Sequence, residues 1–509
     1  MPSARGNRWA VLAVLAGALA VISLDNTIVN VALPVLQEEL GATTSQLQWV
    51  VDAYSVMFAG TLLLAGALGD RFGRRRALLI GLVIFGSASL AAGFANHALT
   101  LALFRALMGI GGAFIMPSTL SILTQVFTDR RERAQAIGIW AATAGAAVAI
   151  GPIVGGLLVE YVSWHAIFWV NPPLVVIGIL ATLRFVPESL DPSRPRLDPL
   201  GAVLSTVGLI ALVVTVIEIP DSGINPLTIT SSIATIVFLS AFVWWELRAP
   251  RPMLPMSLFR SRLFTVSVIC VALVYAALMG MMFFLPQFLQ LVQGNTPVES
   301  GVSMLPGAGG MLIASLLSPR VAERIGTRTT VLIGFLLVTV GFGVAAFMDA
   351  GSPYLLVGGS LGLIGLGLGM VLPQATNGVL AATPPERAGI GAAVNDGMSE
   401  LGGSLGVAIL GSLLALGYRN EIEARITAAG DAINTIPANV VEAVRESLAA
   451  GSISVQQLAP DLATPIREAA GQAFVSGMTT ALLVGGGLTL LGLVLAWWLF
   501  PAKVERVEE

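Results

Sequence analysis

Charge is scarce in this chain. Asp, Glu, Lys and Arg make up 11% of its 509 residues, against about 25% in a soluble domain. Hydrophobic residues reach 55% and the mean hydropathy is +0.85, so most of the surface must face lipid. One cysteine, Cys270, excludes a disulfide framework. Two histidines, His97 and His165, leave too little for a metal centre. There is no Gly-rich phosphate loop with its Lys, which excludes an ATP-driven pump. A membrane-embedded enzyme finds neither a His/Asp metal cluster nor a nucleophile constellation. No cofactor, metal or nucleic-acid partner is therefore expected, and a net charge of −3 does not discriminate among partners.

Long apolar runs are abundant instead. A hydrocarbon core of about 30 Å needs about 20 helical residues. Six runs come first: Trp9–Leu33, Leu47–Gly69, Ala77–Ala95, Leu99–Phe127, Ala134–Val159 and Ile167–Val186. Two follow, Leu200–Ile219 and Leu227–Leu247, and then six more: Leu263–Val292, Val302–Leu317, Val331–Met348, Tyr354–Ala381, Ala388–Leu416 and Ala473–Phe500. Lipid-exposed backbone must satisfy its own hydrogen bonds, so non-alternating runs of this length are helices rather than barrel strands.

The basic residues test the count. With a cytoplasmic N-terminus, inner segments hold Arg5 and Arg8, Arg71 to Arg76, Arg130 to Arg133, Arg184, Arg194 and Arg196, then Arg248, Arg251, Arg260 and Arg262. They also hold Arg320, Arg324 and Arg328, then Arg387, Lys503 and Arg506. The short outer loops hold none, and Arg419, Arg425, Arg445 and Arg467 share one long outer segment that escapes the positive-inside bias. A cleaved signal peptide over Trp9–Ser23 would put the remaining Arg-rich loops on the wrong side. The expected product is a multi-pass protein of the inner or plasma membrane with both termini cytoplasmic.

An internal repeat divides the chain. GDRFGRRRALLIG (Gly69–Gly81) recurs as AERIGTRTTVLIG (Ala322–Gly334), offset by 253 residues. Glu132-Arg133-Ala134 recurs as Glu386-Arg387-Ala388, and Gly109, Gly111 and Pro117 as Gly365, Gly367 and Pro373, offset by 254 and 256 residues. The expected domains are a cytoplasmic start (1–8), a six-helix half (9–186), a linker (187–261) with extra helices at 200–219 and 227–247, a second half (262–500) including an outer loop (418–472), and a tail (501–509). Such halves place a substrate path at their interface.

Several motifs resemble the fourteen-helix drug:proton antiporter branch of the major facilitator superfamily over residues 9–500. LDNTIVNVALP (Leu24–Pro34) is similar to that branch's first-helix signature, and GALGDRFGRRR (Gly66–Arg76) to the superfamily's loop after helix 2. LFRALMGIGGA (Leu103–Ala113) carries the intramembrane arginine as Arg105, and GAAVAIGPIVGG (Gly145–Gly156) resembles the antiporter motif. WHAIFWVNP (Trp164–Pro172) is similar to another signature of the branch but has His165 and Ala166 where Arg and Trp are usual, leaving packing as its role. The resemblance implies an all-α integral membrane protein with the major facilitator fold, two six-helix halves plus two inserted helices. It implies a monomeric exporter of small lipophilic, often cationic compounds such as drugs or antiseptics, driven by a proton gradient. A dedicated exporter of one endogenous metabolite or self-made antibiotic would carry the same motifs.

Charges inside the membrane are costly and mark ion or substrate paths. Asp25 lies about 24 Å along the first helix from Trp9, and Asp52 and Arg105 lie about 8–9 Å below the outer ends of theirs. Three charged groups thus share the outer third of the first half. Asp25 is expected to exchange protons with Arg105 tuning it; the plainer reading is a structural ion pair. Asp396 and Glu400, four residues apart on one helix face, are either coupling acids or interhelical hydrogen-bond partners. Together with Glu218, which lies near a helix end, five acids against one arginine favour cations.

For gating, Gly66, Asp70, Arg71, Gly73 and Arg74 are expected to latch helix ends of the other half, beyond anchoring topology by positive charge. Gly145, Gly151, Gly155 and Gly156 permit close helix approach, and Pro152 a kink that seals the outer side; ordinary packing is the alternative. Asn30, Tyr54, Met282, Phe284 and Gln287 are candidate cavity residues, the last three in a stretch rich in Met and aromatics that suits a promiscuous pocket but also suits lipid contact. The outer segment 418–472 is expected to form short amphipathic caps or a disordered spacer.

Overall fold

The computed structural model describes residues 8–190, 198–250, 252–384, 388–429, 436–455, 458 and 460–501. Arg5, Arg194, Arg196, Arg251, Arg387, Lys503 and Arg506 lie outside them. Among the described residues, fourteen helices are long and apolar enough to cross a membrane. The first six are α1 (Arg8–Leu40), α2 (Thr44–Phe72), α3 (Arg74–Ala92), α4 (Ala98–Val126), α5 (Arg130–Tyr161) and α6 (Ala166–Phe185), the last with a turn at Val170. Two follow, α7 (Pro199–Ser222) and α8 (Pro226–Glu246). Then come α9 (Arg262–Val292), whose last turn is a π-helix, α10 (Pro297–Ile325), broken at Met304, α11 (Thr327–Ala345), α12 (Tyr354–Ala381) and α13 (Ala388–Ala429). Short helices α14 (Ala438–Glu446) and α15 (Leu448–Val455) precede the last span, α16 (Pro460–Leu499). The face bearing Arg71–Arg76 is called the arginine face below, and the opposite one the far face.

Local sequence sets the boundaries. Thr43 and Gln46 form a reciprocal capping box at the start of α2, and Thr296 and Glu299 form another at α10, where Pro297 occupies the first turn. Gly73 (φ 123°) and Gly326 (φ 89°) end α2 and α10 at equivalent places in the repeat. Those dihedrals are hard for a residue with a Cβ, so each glycine makes a tight hairpin at the arginine face.

The repeat is also a packing rule. α1 lies on α5, α2 on α4 and α3 on α4; in the same order α9 lies on α13, α10 on α12 and α11 on α12. This is the major facilitator fold of two six-helix halves, with α7 and α8 inserted. α7 packs on both α2 and α13, while α8 leans on α7. Leu355, Phe347 and Trp498 are more than three-quarters exposed, as a lipid-facing surface requires.

Helix lengths depart from the hydropathy reading chiefly in three places, the first being α1, which runs past the expected Leu33 to Leu40 with Pro34 inside it. Ile325 ends a helix expected to stop at Leu317, because Arg320, Glu323 and Arg324 can reach the interfacial region from its last turns. The outer segment is neither wholly cap nor spacer: α13 runs on to Ala429 and α16 starts at Pro460, leaving α14 and α15 between them. The Tyr418 hydroxyl donates to the Val444 carbonyl at 2.6 Å and fastens α14 to α13.

Candidate functional site

α1, α4 and α6 converge on one buried ionic knot. Asp25 Oδ2 meets Arg105 Nη1 at 2.5 Å with both side chains at most 1% exposed. Asn171 Nδ2 donates to Asp25 Oδ1 at 2.8 Å and to Ser89 Oγ at 3.0 Å. Ser89 in turn donates to the Phe168 carbonyl at 2.8 Å, so the turn in α6 aims Asn171 inward. Arg105 Nε donates to the Val50 carbonyl at 3.1 Å, and its guanidinium lies 4.6 Å from the Tyr54 ring centroid. The two charges compensate each other at short range, which is what allows them to be buried, while Arg105 Nη2, Asn171 Oδ1 and the Tyr54 hydroxyl are left without a hydrogen-bond partner.

Asp52 does not join that knot. Both its carboxylate oxygens are buried without a hydrogen-bond partner. They face Ser404 of α13, whose hydroxyl is also unpaired, across the contact between the halves. One turn deeper on α13, Glu400 accepts from Asn26 of α1 at 3.5 Å and faces Ser55 of α2. Asp396 accepts from its neighbour Asn395 at 3.2 Å. The α2–α13 contact thus carries a polar stretch, although Val56 and Leu62 of α2 also meet Ala408 and Gly397, and at its far-face end Gln48 donates to the carbonyls of Val407 and Ala408, each at 3.2 Å.

The opposite contact, α5 on α10, is built from glycine. A Cβ on Gly156 would meet the Pro297 carbonyl at 2.5 Å, and one on Gly301 would strike the Pro152 carbonyl. The two helices thus interlock reciprocally. Gly151 and Gly155 press α5 against Thr27 and Ile28 of α1. Gly145, expected to share this role, has open space where its Cβ would stand. Val298 N–H donates to Glu160 at 2.9 Å and Gln290 to the Val31 carbonyl at 3.0 Å. These bonds join the halves towards the far face, which is closed.

At the arginine face each half keeps its own partners. The expected cross-half latch is absent here: Asp70 takes Arg74 at 2.8 Å, and Arg74 also reaches the Ser121 carbonyl and Gln125 of α4. Arg75 bonds the Leu183 carbonyl, Arg71 lies against Phe72, and Gly66 adjoins Pro117. Gly73 sits beneath Glu188. Among the described residues, no ion pair or hydrogen bond recorded for Asp70, Arg74 or Arg75 crosses to the other half.

The cavity candidates separate. Tyr54 lies under Arg105, and Asn30 donates to the Asn26 carbonyl. Phe284 is buried. Gln287 donates to the Phe283 carbonyl at 2.8 Å and lines a far-face cavity with Gln37, Thr43 and Tyr418. Met282 lines a different, apolar cleft. The residues that sequence reasoning missed are Asn171, Ser89, Asn26, Ser404 and Gly301. Asn171 carried a signal, a polar residue in an apolar run just before two prolines, but the stretch was read as packing alone.

Residues 15–407 match the sequence profile of the Major Facilitator Superfamily. The chain is 34% identical over 486 residues to the multidrug efflux pump LfrA of Mycolicibacterium smegmatis, covering 95% of this chain and 94% of that protein. It is 32% identical over 507 residues to the tetracenomycin C resistance and export protein of Streptomyces glaucescens, covering 99% and 93%. Among solved structures, a bacterial homolog of the human lysosomal transporter Spinster, inward-facing and occupied, superposes with a TM-score of 0.64 at 16% identity, with 99% of each chain covered. That likeness is one of fold.

Proposed function

The chain belongs to the Major Facilitator Superfamily, and from that premise we propose that it exports small lipophilic, predominantly cationic compounds across the plasma membrane in exchange for protons. Drug efflux or resistance is what the relatives' names describe. The observation that carries the proton-coupled reading is the buried knot of Asp25, Arg105 and Asn171. A proton arriving on Asp25 cancels its charge and leaves Arg105 a buried cation in search of an anion. Glu400, at the contact between α13 and α2, lies close enough to feel the Arg105 charge and is the carboxylate available to it. Re-pairing would pull on that contact, so protonation and the relative position of the halves become linked. In this reading the arginine face is cytoplasmic, both termini lie there, and one chain suffices for transport.

The test is transport by proteoliposomes under an imposed pH gradient. Asp25→Asn mimics the protonated acid in shape and should lose proton-driven efflux; because it leaves the buried Arg105 without its counter-ion, rates are compared at equal amounts of folded protein. Wild-type rates in the variant would overturn the assignment.

A further inference from the structure

Away from both contacts between the halves, where α7 begins and α8 ends, two carboxylates converge on one glycine. Asp198 caps α7: the Gly201 N–H donates to its Oδ1 at 2.9 Å, and the Trp245 indole Nε1 donates to Oδ1 at 2.9 Å and Oδ2 at 2.8 Å. Glu246 is 2% exposed. Its Oε2 accepts from the Leu254 N–H at 3.0 Å, while its Oε1 is buried with no partner. A Cβ on Gly201 would stand 2.7 Å from Asp198 Oδ2 and 2.9 Å from Glu246 Oε1. The two oxygens therefore face one small space, kept open by a residue without a side chain.

Among the described residues no cation balances them. The charge that acts on Glu246 is that of Asp198. Arg248, two residues on, turns its guanidinium to the Trp244 ring, 4.4 Å from the centroid, and Arg260 and Arg262, where the linker meets α9, are exposed. Two carboxylates this close, out of water and without a counter-ion, are held most cheaply with one negative charge between them. The occupant that fits so small a space is a proton, shared between Glu246 Oε1 and Asp198 Oδ2.

Glu246 also fastens the linker between α8 and α9. Leu254, Leu258 and Phe259 of that segment share an apolar cluster with Val379 of α12 and Val394 of α13. The linker is thus a strap, tied at Leu254 to the inserted pair and seated along its length on the second half. We propose that Asp198 and Glu246 form a binding site for one proton at the arginine face, and that this proton keeps the strap docked. When it leaves, two buried charges repel, Glu246 turns out to water, and Leu254 loses its acceptor. The site is separate from Asp25 and does not depend on the export reading.

A nitroxide attached through Ser257→Cys, an exposed position on the strap, reads its docking in the purified full chain; Cys270 is buried and is the only native thiol. As pH rises from about 5.5 to about 9 the label should become about threefold or more mobile, because the proton is bound at low pH and lost at high pH. Glu246→Gln brings its own amide hydrogens to Asp198 and keeps an oxygen for Leu254, so its label should stay slow throughout. Asp198→Asn keeps the cap but removes one charge, and should move the transition about one pH unit towards acid. Should Glu246→Gln fail to fold, Asp198→Asn decides alone. A wild-type label indifferent to pH, or variants that follow the wild-type curve, overturn the proposal. So does a label that responds to replacing sodium or potassium with choline at fixed pH, which makes the occupant an alkali ion.

Discussion

The two seams along which the halves meet are built from opposite materials. The α2–α13 seam carries Gln48, Asp52, Ser55, Glu400 and Ser404, and α7 lies over it. The α5–α10 seam is glycine against carbonyl with an apolar cleft beneath, and no inserted helix covers it. The difference teaches where each kind of group can survive. Polar side chains at a contact that must open and close would meet lipid tails each time unless something shields them, and an unshielded hydrogen-bonding group in hydrocarbon is expensive. The glycines themselves need no shield, because parting them exposes backbone bonded within a helix; the polar bond of this seam, Val298 N–H to Glu160, lies at its far-face end.

Breaking the polar side should have the largest effect. Arg105→Met leaves Asp25 without its counter-ion and should cost about 3–5 kcal/mol, read as a fall in the midpoint of thermal unfolding. Asp52→Asn, by contrast, replaces a buried carboxylate that has no counter-ion, facing only Ser404, and should leave that midpoint unchanged or raise it; equal losses would erase the distinction drawn between the two acids. On the glycine side, Gly301→Val drives a side chain into the Pro152 carbonyl and should weaken the closed far face by about 1–3 kcal/mol. With Cys270 buried and the only thiol, a cysteine placed at Ser303 reports this as faster labelling from the far face. Thr206→Val removes the bond from α7 to the Gly60 carbonyl and should cost about 1 kcal/mol, seen as earlier proteolysis of the α7–α8 insert. Smallest is Gly145→Ala, which enters open space and should change stability by less than about 0.5 kcal/mol, whereas Gly151→Ala meets Thr27.

Depth in the membrane was legible from counting, and direction around a helix was not. Sixteen residues at 1.5 Å placed Asp25 at the right height to meet Arg105, and the two did meet. Asp52, at a similar height, turned to α13 because azimuth depends on which neighbour a helix acquires, and that is decided by partners hundreds of residues away. Asp70 was read with the right charge and the wrong partner in this arrangement, since a latch belongs to one conformation and a sequence describes all of them. Phe284 and Gln287 sit two turns or less from Met282, yet helical rotation sends the three to separate places. The fourteen spans were readable because lipid imposes a length on every one of them; the helical extensions of α13 and α16 beyond the bilayer answer to no such rule.

α7 touches both halves but is not held equally by them. To α2 it is pinned by the directional bond from Thr206 to the Gly60 carbonyl at 2.9 Å. Towards α13 its grip is Val213 and Ile217 against Ala408, with a long 3.4 Å bond from Ser412 to the Val216 carbonyl. Aliphatic contact has no preferred register and slides at little cost, whereas the pinned side does not. When the halves rock, α7 must travel with the first and skate over the second, like an apron on a moving sill, keeping lipid off the carboxylates beneath throughout the cycle.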